Sequence, residues 1–167
     1  ANASGIDTAI FKHNGAWWLF CTLMSEGANY KLYAYHSSDL FGKWIKHAAN
    51  PVKIDVRSSR NAGTPFLYEN RLYRPSQDCA ASYGAAVVIN EILTLTPEIF
   101  EEVVVKRLVI PNGGKHSLGI HTLSAVDGAT LVDGKRRQFT TRSLIYEMSR
   151  PYNKIRRTFR RATSNRG

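Results

Sequence analysis

Apolar and polar positions alternate in short runs along most of the chain. Ile10-Phe11 leads into His13-Asn14-Gly15, and Ala16-Trp17-Trp18-Leu19-Phe20-Cys21 follows. A period of two belongs to a strand rather than a helix. Asn-Gly between two such runs tolerates φ > 0 at both turn positions, so it predicts a hairpin. The same reading predicts a third strand at Tyr30–Tyr35 and a fourth at Lys43–His47, before the break at Asn50-Pro51.

The pattern then recurs. Thr64-Pro65-Phe66-Leu67-Tyr68-Glu69-Asn70-Arg71-Leu72-Tyr73 repeats residues 9–18 at an offset of 55, with Phe66 on Phe11 and Tyr73 on Trp18. Strands are predicted at Ala85–Ile89 and Glu102–Val105. A third copy begins near Gly119–Ala125, turns at Asp127-Gly128 and continues through Ala129–Val132. Four antiparallel strands per repeat of this length is the sequence form of a β-propeller blade, and blades bury their faces by stacking on one another. The expectation is an all-β fold holding about three blades, two complete and one partial. A β-sandwich with two similar hairpins is the alternative. The opening, Ala1-Asn2-Ala3-Ser4-Gly5, reaches a strand almost at once and lacks a starting Met, which suggests a fragment.

Charge divides the chain. At 43% hydrophobic and 22% charged residues, the 167-residue chain is ordinary globular material, which excludes wholesale disorder. Residues 1–134 hold 12 Lys/Arg and 12 Asp/Glu; residues 135–167 hold 11 Lys/Arg and a single acid, Glu147. The whole net charge of +10 therefore belongs to the tail. Two regions follow: a partial propeller over 1–134 and a basic C-terminal tail over 135–167. Nucleic acid is not the expected partner of a neutral body. Within the tail, Leu144, Ile145, Met148, Tyr152, Ile155 and Phe159 fall near helical spacing among arginines, with Pro151 as a break. A basic amphipathic segment suits an anionic membrane surface over 140–167 or a docking partner. A solubilising disordered tail is the competing reading. There is no apolar run of 18 residues and no signal-peptide pattern, so a cytoplasmic, membrane-peripheral place is expected. Cys21 and Cys79 are too few for a disulfide scaffold and read as free thiols, with a single bridge as the alternative.

Several motifs resemble known families. Asp7-Thr8-Ala9-Ile10-Phe11 with Asn14-Gly15-Ala16-Trp17-Trp18-Leu19-Phe20, and Ser37-Ser38-Asp39-Leu40-Phe41-Gly42-Lys43-Trp44, resemble the five-bladed propellers of glycoside hydrolase families 43 and 32. Arg57-Ser58-Ser59-Arg60-Asn61-Ala62-Gly63, Leu72–Cys79, Tyr83-Gly84 and His121-Thr122 are similar to the N-terminal domain of plant glucosamine inositolphosphorylceramide transferases and their bacterial relatives. The resemblance implies five blades and a carbohydrate-active setting in glycan or glycolipid synthesis. A hydrolase of the first kind and a non-catalytic interaction module are the alternatives.

In a propeller, equivalent positions on successive blades converge at the axis. Here these are Asp7, the Arg60–Gly63 stretch and His121, which together make a plausible ligand site. Asp7 stands where the resembled hydrolases keep a catalytic Asp. Hydrolysis needs two carboxyl groups, and the second repeat offers Asn61-Ala62-Gly63 at the quasi-equivalent place. Asp78 is the other well-placed carboxylate, and His121 a proton shuttle. Arg57, Arg60 and Arg74 suit an anionic sugar or sugar phosphate, with Gln77 and Thr122 as further contacts. Pairing of Arg60 and Arg74 with Asp7 and Asp78 is the competing account. No Cys/His set has zinc spacing, and no cofactor is expected.

Overall fold

The structure, a computed structural model, describes residues 4–110, 113, 116–126 and 129–136. The predicted tail helix, the membrane contact over 140–167 and the Asp127-Gly128 turn lie outside the described residues.

Among the described residues every regular element is a strand. The first sheet is an antiparallel meander of β1 (Gly5–His13), β2 (Ala16–Leu23), β3 (Lys31–Ser37) and β4 (Ile45–Lys46). The strand predicted over Lys43–His47 is thus only two residues long. A further short strand, β5 (Lys53–Ile54), pairs with the other end of β3. Between them the Asn50 side chain completes the row: Ala34 N–H donates to its Oδ1 at 2.8 Å and its Nδ2 donates to Ala34 C=O at 2.6 Å. The second sheet repeats the meander with β6 (Phe66–Tyr68), β7 (Arg71–Asp78), β8 (Ala86–Leu95) and β9 (Phe100–Leu108). β10 (Leu123–Val126) and β11 (Ala129–Val132) pair as a two-stranded ribbon.

The repeat is visible in the turns. Asn14 and Gly15 have φ of 47° and 80°, and Glu69 and Asn70, at offset 55, have 47° and 61°. Both hairpins use a two-residue turn with positive φ throughout, the geometry that matches strand twist. The described residues give two four-strand meanders and a ribbon, all antiparallel, and not a closed ring.

The two large sheets pack face to face. Phe11, Trp18, Phe20, Leu32 and Ala34 of the first meet Leu72 and Ile92 of the second, with Phe100 edge-on to Phe20. Trp18 is therefore core, as its alternation with neighbours requires. The opposite face of the second sheet carries Val87, which packs with Ala62, Ile120 and Leu123. Arg60–Ala62 runs along the inner half of β7, with Gln77 N–H donating to Arg60 C=O at 2.7 Å and Ala62 N–H to Pro75 C=O at 3.0 Å. Leu123 N–H then donates to Ala62 C=O at 2.7 Å, which brings the start of β10 against the Arg60–Ala62 stretch. Gly63 permits this approach: a Cβ there would stand 1.9 Å from the Leu123 carbonyl oxygen.

Candidate functional site

A cavity of about 210 Å³ opens where the two meanders and the segment leading into β10 meet. It is lined by Asp7–Ala9 of β1, by Asn61–Thr64 with Gln77 of β7, and by His121, Thr122 and Ser124 at the start of the β10–β11 ribbon. The structure thus gathers Asp7, Gln77, His121 and Thr122 at one place, from positions up to 115 residues apart.

A β-bulge aims Asp7. The β1–β2 register slips between Ile6 and Ala9, and Asp7 sits at φ 49°. A left-handed non-glycine residue costs about 1–3 kcal/mol unless local bonds compensate, and such residues cluster at functional sites. Here the bonds are specific. Asp7 Oδ2 accepts from Arg60 Nε at 2.6 Å and from Gln77 Nε2 at 3.2 Å, while its main-chain oxygen accepts from Asn61 Nδ2 at 3.0 Å. Gln77 also donates to Asn61 C=O at 2.8 Å. Oδ1 of Asp7 accepts no hydrogen bond among the described residues.

The opposite wall is an imidazole. His121 Nδ1 contacts Asp133 Oδ2. Asp133 Oδ1 accepts the main-chain N–H groups of His121 at 2.8 Å and Thr122 at 2.7 Å. Burial alone would raise the Asp133 carboxyl; these amide donors and the His121 charge outweigh it and hold the group below its ordinary range. The His121 ring meets Tyr83 edge-on at 5.4 Å, and the Arg60 guanidinium lies over the same Tyr83 at 4.7 Å. A continuous set of contacts therefore runs from Asp7 through Arg60, Tyr83 and His121 to Asp133.

The arginines do not behave as the phosphate-binding reading requires. Arg60 is held by Asp7, with a second bond from Nη1 to Asn29 Oδ1 at 2.7 Å. Arg74 is fully buried between the sheets and all five of its N–H groups are satisfied by protein. Nε and Nη2 grip Glu102 at 2.8 and 2.6 Å, Nη2 also reaches Ser58 C=O, and Nη1 reaches Ser59 C=O and Asn61 Oδ1. It has no donor left for a ligand. Its partner is Glu102 rather than Asp78. Lys53 completes that buried group at 2.6 Å from Glu102. Arg57 is exposed on a turn where its N–H donates to Asp55 Oδ1, away from the cavity lining. Asp78 is also outside the lining: it accepts the Ala80 N–H and pairs with Arg107 at 2.9 Å. Asp7 is the one carboxylate in the lining among the described residues, which gather no pair of carboxyls of the kind that glycoside hydrolysis needs.

Among the described residues no group of three or more His, Cys, Asp or Glu side chains could hold a metal ion. Cys21 and Cys79 are free thiols, and burial pushes Cys21 up to about 11. No helix among the described residues is long and apolar enough to cross a membrane.

The family model for glucosamine inositolphosphorylceramide transferase 1, N-terminal, matches residues 2–134. The chain belongs to that family. It is 36% identical over 103 residues to the glucosamine inositolphosphorylceramide transferase 1 of Oryza sativa subsp. japonica, covering 59% of this chain and 14% of the relative. With the protein of the same name from Arabidopsis thaliana it shares 34% over 145 residues, 78% of this chain and 19% of the relative. The chain thus spans less than a fifth of the length of the curated relatives it matches. No solved structure matches it at a significant level.

Within this transferase N-terminal family member, two acids escape a reading of the sequence alone. Glu102 has a visible signal, a carboxylate at an inward parity of a valine-rich strand. Asp133 follows a strand and precedes Gly134, a position that reads as an ordinary turn.

Proposed function

We propose that the body of this chain is three blades of a five-bladed propeller whose axial cavity binds the sugar portion of a glycan or activated sugar in glycolipid synthesis. The twofold recurrence of one four-strand meander, at an offset of 55 residues and with matching turns, supports the blades. The relatives' name, glucosamine inositolphosphorylceramide transferase, supports the setting, and attachment to a transferase activity is part of this reading.

One observation carries the ligand assignment. Residues from both meanders and from the segment leading into β10 line one cavity, and the polar groups of its described lining are a carboxylate, amides, hydroxyls and an imidazole, with no lysine or arginine among the described residues there. Such a set matches the alternating donors and acceptors of a sugar ring. A phosphate would want the cations that Asp7 and Glu102 already occupy. The sugar hydroxyls therefore enter the cavity, and any phosphate or lipid remains outside it.

The test is saturation-transfer NMR and calorimetry with glucosamine, myo-inositol and inositol phosphate. The sugar or the polyol binds, the phosphate confers no added affinity, and Asp7→Asn or His121→Ala weakens binding at least about tenfold. Undiminished binding in both variants overturns the assignment. The membrane-peripheral cytoplasmic placement rests on the charge of residues 135–167, and cosedimentation with anionic against neutral vesicles tests it.

A further inference from the structure

Two features of the third repeat are not explained by strand pairing. Asp133 divides its carboxylate between two tasks, with Oδ1 taking two successive main-chain N–H groups and Oδ2 facing His121 Nδ1. The imidazole is also confined sideways. Tyr83 stands edge-on to it, and Gly84 (φ 66°) presses so close that a Cβ there would fall 2.7 Å from His121 Cβ. A ring held in this way has Nδ1 committed to a carboxylate, and His121 belongs to the cavity lining.

We propose that Asp133 is a positioning residue that fixes the proton of neutral His121 on Nδ1, so that bare Nε2 faces the cavity as a hydrogen-bond acceptor for a ligand hydroxyl. An acid beside one imidazole nitrogen accepts its N–H and thereby selects the tautomer. The two main-chain donors keep the carboxylate in place and ionised, so it cannot turn away. Across the cavity, Asp7 Oδ1 is a second acceptor. The two acceptors together recognise a pair of hydroxyl donors on one ligand. Acceptors that select hydroxyls also disfavour a phosphate oxygen, which brings lone pairs and negative charge. This assignment rests on the sugar-binding reading for its ligand, but the tautomer itself does not.

Asp133→Asn is the decisive variant. Its side-chain oxygen can still accept both main-chain N–H groups, so the loop is retained. Its amide N–H₂ then faces Nδ1 as a donor, which requires Nδ1 to be the acceptor and moves the proton to Nε2. The experiment records long-range ¹H–¹⁵N spectra of the histidine rings in the full 167-residue chain, with His121→Gln to assign the signal, at a pH where the ring is neutral. The expected result is an Nδ1–H ring in the parent chain and an Nε2–H ring in Asp133→Asn, with thermal unfolding still cooperative and only modestly lowered. Glucosamine or myo-inositol then binds the variant at least about tenfold more weakly. An Nε2–H ring in the parent chain, or the same ring signals in both, overturns the proposal. An Nδ1–H ring that reverses in the variant while neither probe binds the parent upholds the positioning role and overturns the sugar-binding reading instead.

Discussion

Glu102→Gln should be among the most damaging conservative changes in this chain. The carboxylate is 2% exposed and Arg74 is 0% exposed. It accepts two bonds from Arg74, at 2.8 and 2.6 Å, and one from Lys53 at 2.6 Å. Glutamine preserves the shape and one acceptor oxygen, but its N–H₂ must face a cation's N–H. Arg74 keeps its bonds to Ser58, Ser59 and Asn61 and loses its counter-ion. Removing one partner of a buried pair costs about 3–5 kcal/mol, because an uncompensated charge stays inside. For a chain of this size that lowers Tm by about 10 °C or more. Differential scanning calorimetry with a parallel urea titration measures it. A double replacement, Arg74→Met with Glu102→Leu, removes the stranded guanidinium but leaves Lys53, Ser58 C=O, Ser59 C=O and Asn61 Oδ1 without these partners, so it should recover only part of the loss. A loss under about 1 kcal/mol in the single variant would refute the reasoning, as it would mean that water reaches the pair.

Acid should act through the same group. Arg74 and Lys53 outweigh burial and hold Glu102 below its ordinary range, and Asp133 and Asp55 are lowered too, Asp55 by the Ser58 hydroxyl and the Arg57 amide against burial. Lowered folded-state values mean stability that is complete above the ordinary carboxylate range and lost as pH falls through and below it, from about pH 5 downward; urea midpoints across that range check the sign. Gly63→Ala must push the Leu123 carbonyl away from 1.9 Å, so a loss of about 1–3 kcal/mol is expected together with faster amide exchange at Leu123. Burial raises both thiols, Cys21 to about 11, so native-state alkylation at pH 8 should be slow and should reach half-buried Cys79 first; mass spectrometry showing Cys21 modified ahead of Cys79 contradicts this.

Much of the architecture was legible because it is local. Alternation located the strands, Asn14-Gly15 marked a turn, and the 55-residue offset carried that turn to Glu69-Asn70, where Glu69 alone is an unpromising left-handed residue. Equivalent positions in a repeat predict the convergence of Asp7, the Arg60–Gly63 stretch and His121, and the cavity lining holds Asp7, Asn61, Ala62, Gly63 and His121. Arg74 shows what alternation leaves open. It lies three residues from Gln77 in the same strand, so alternation forbids both from facing the cavity. Arg74, Ser76 and Asp78 share the face turned toward the first sheet or its rim, whereas Gln77 turns the other way. Sequence shows which residues share a face; it does not say which face is the seam. Glu102 and Asp133 stayed hidden for a related reason, since their roles are set by partners 28 and 12 residues away.

Asn61 has a consequence for how the protein is made. Its Oδ1 accepts from Arg74 in the seam between sheets, and its Nδ2 donates to the Asp7 carbonyl at the cavity wall. One side chain therefore belongs to both places. The seam cannot close without both sheets, and the cavity wall is not fixed until the seam has closed. A partly melted chain, even with both meanders formed, therefore has the lining residues of the cavity without its shape.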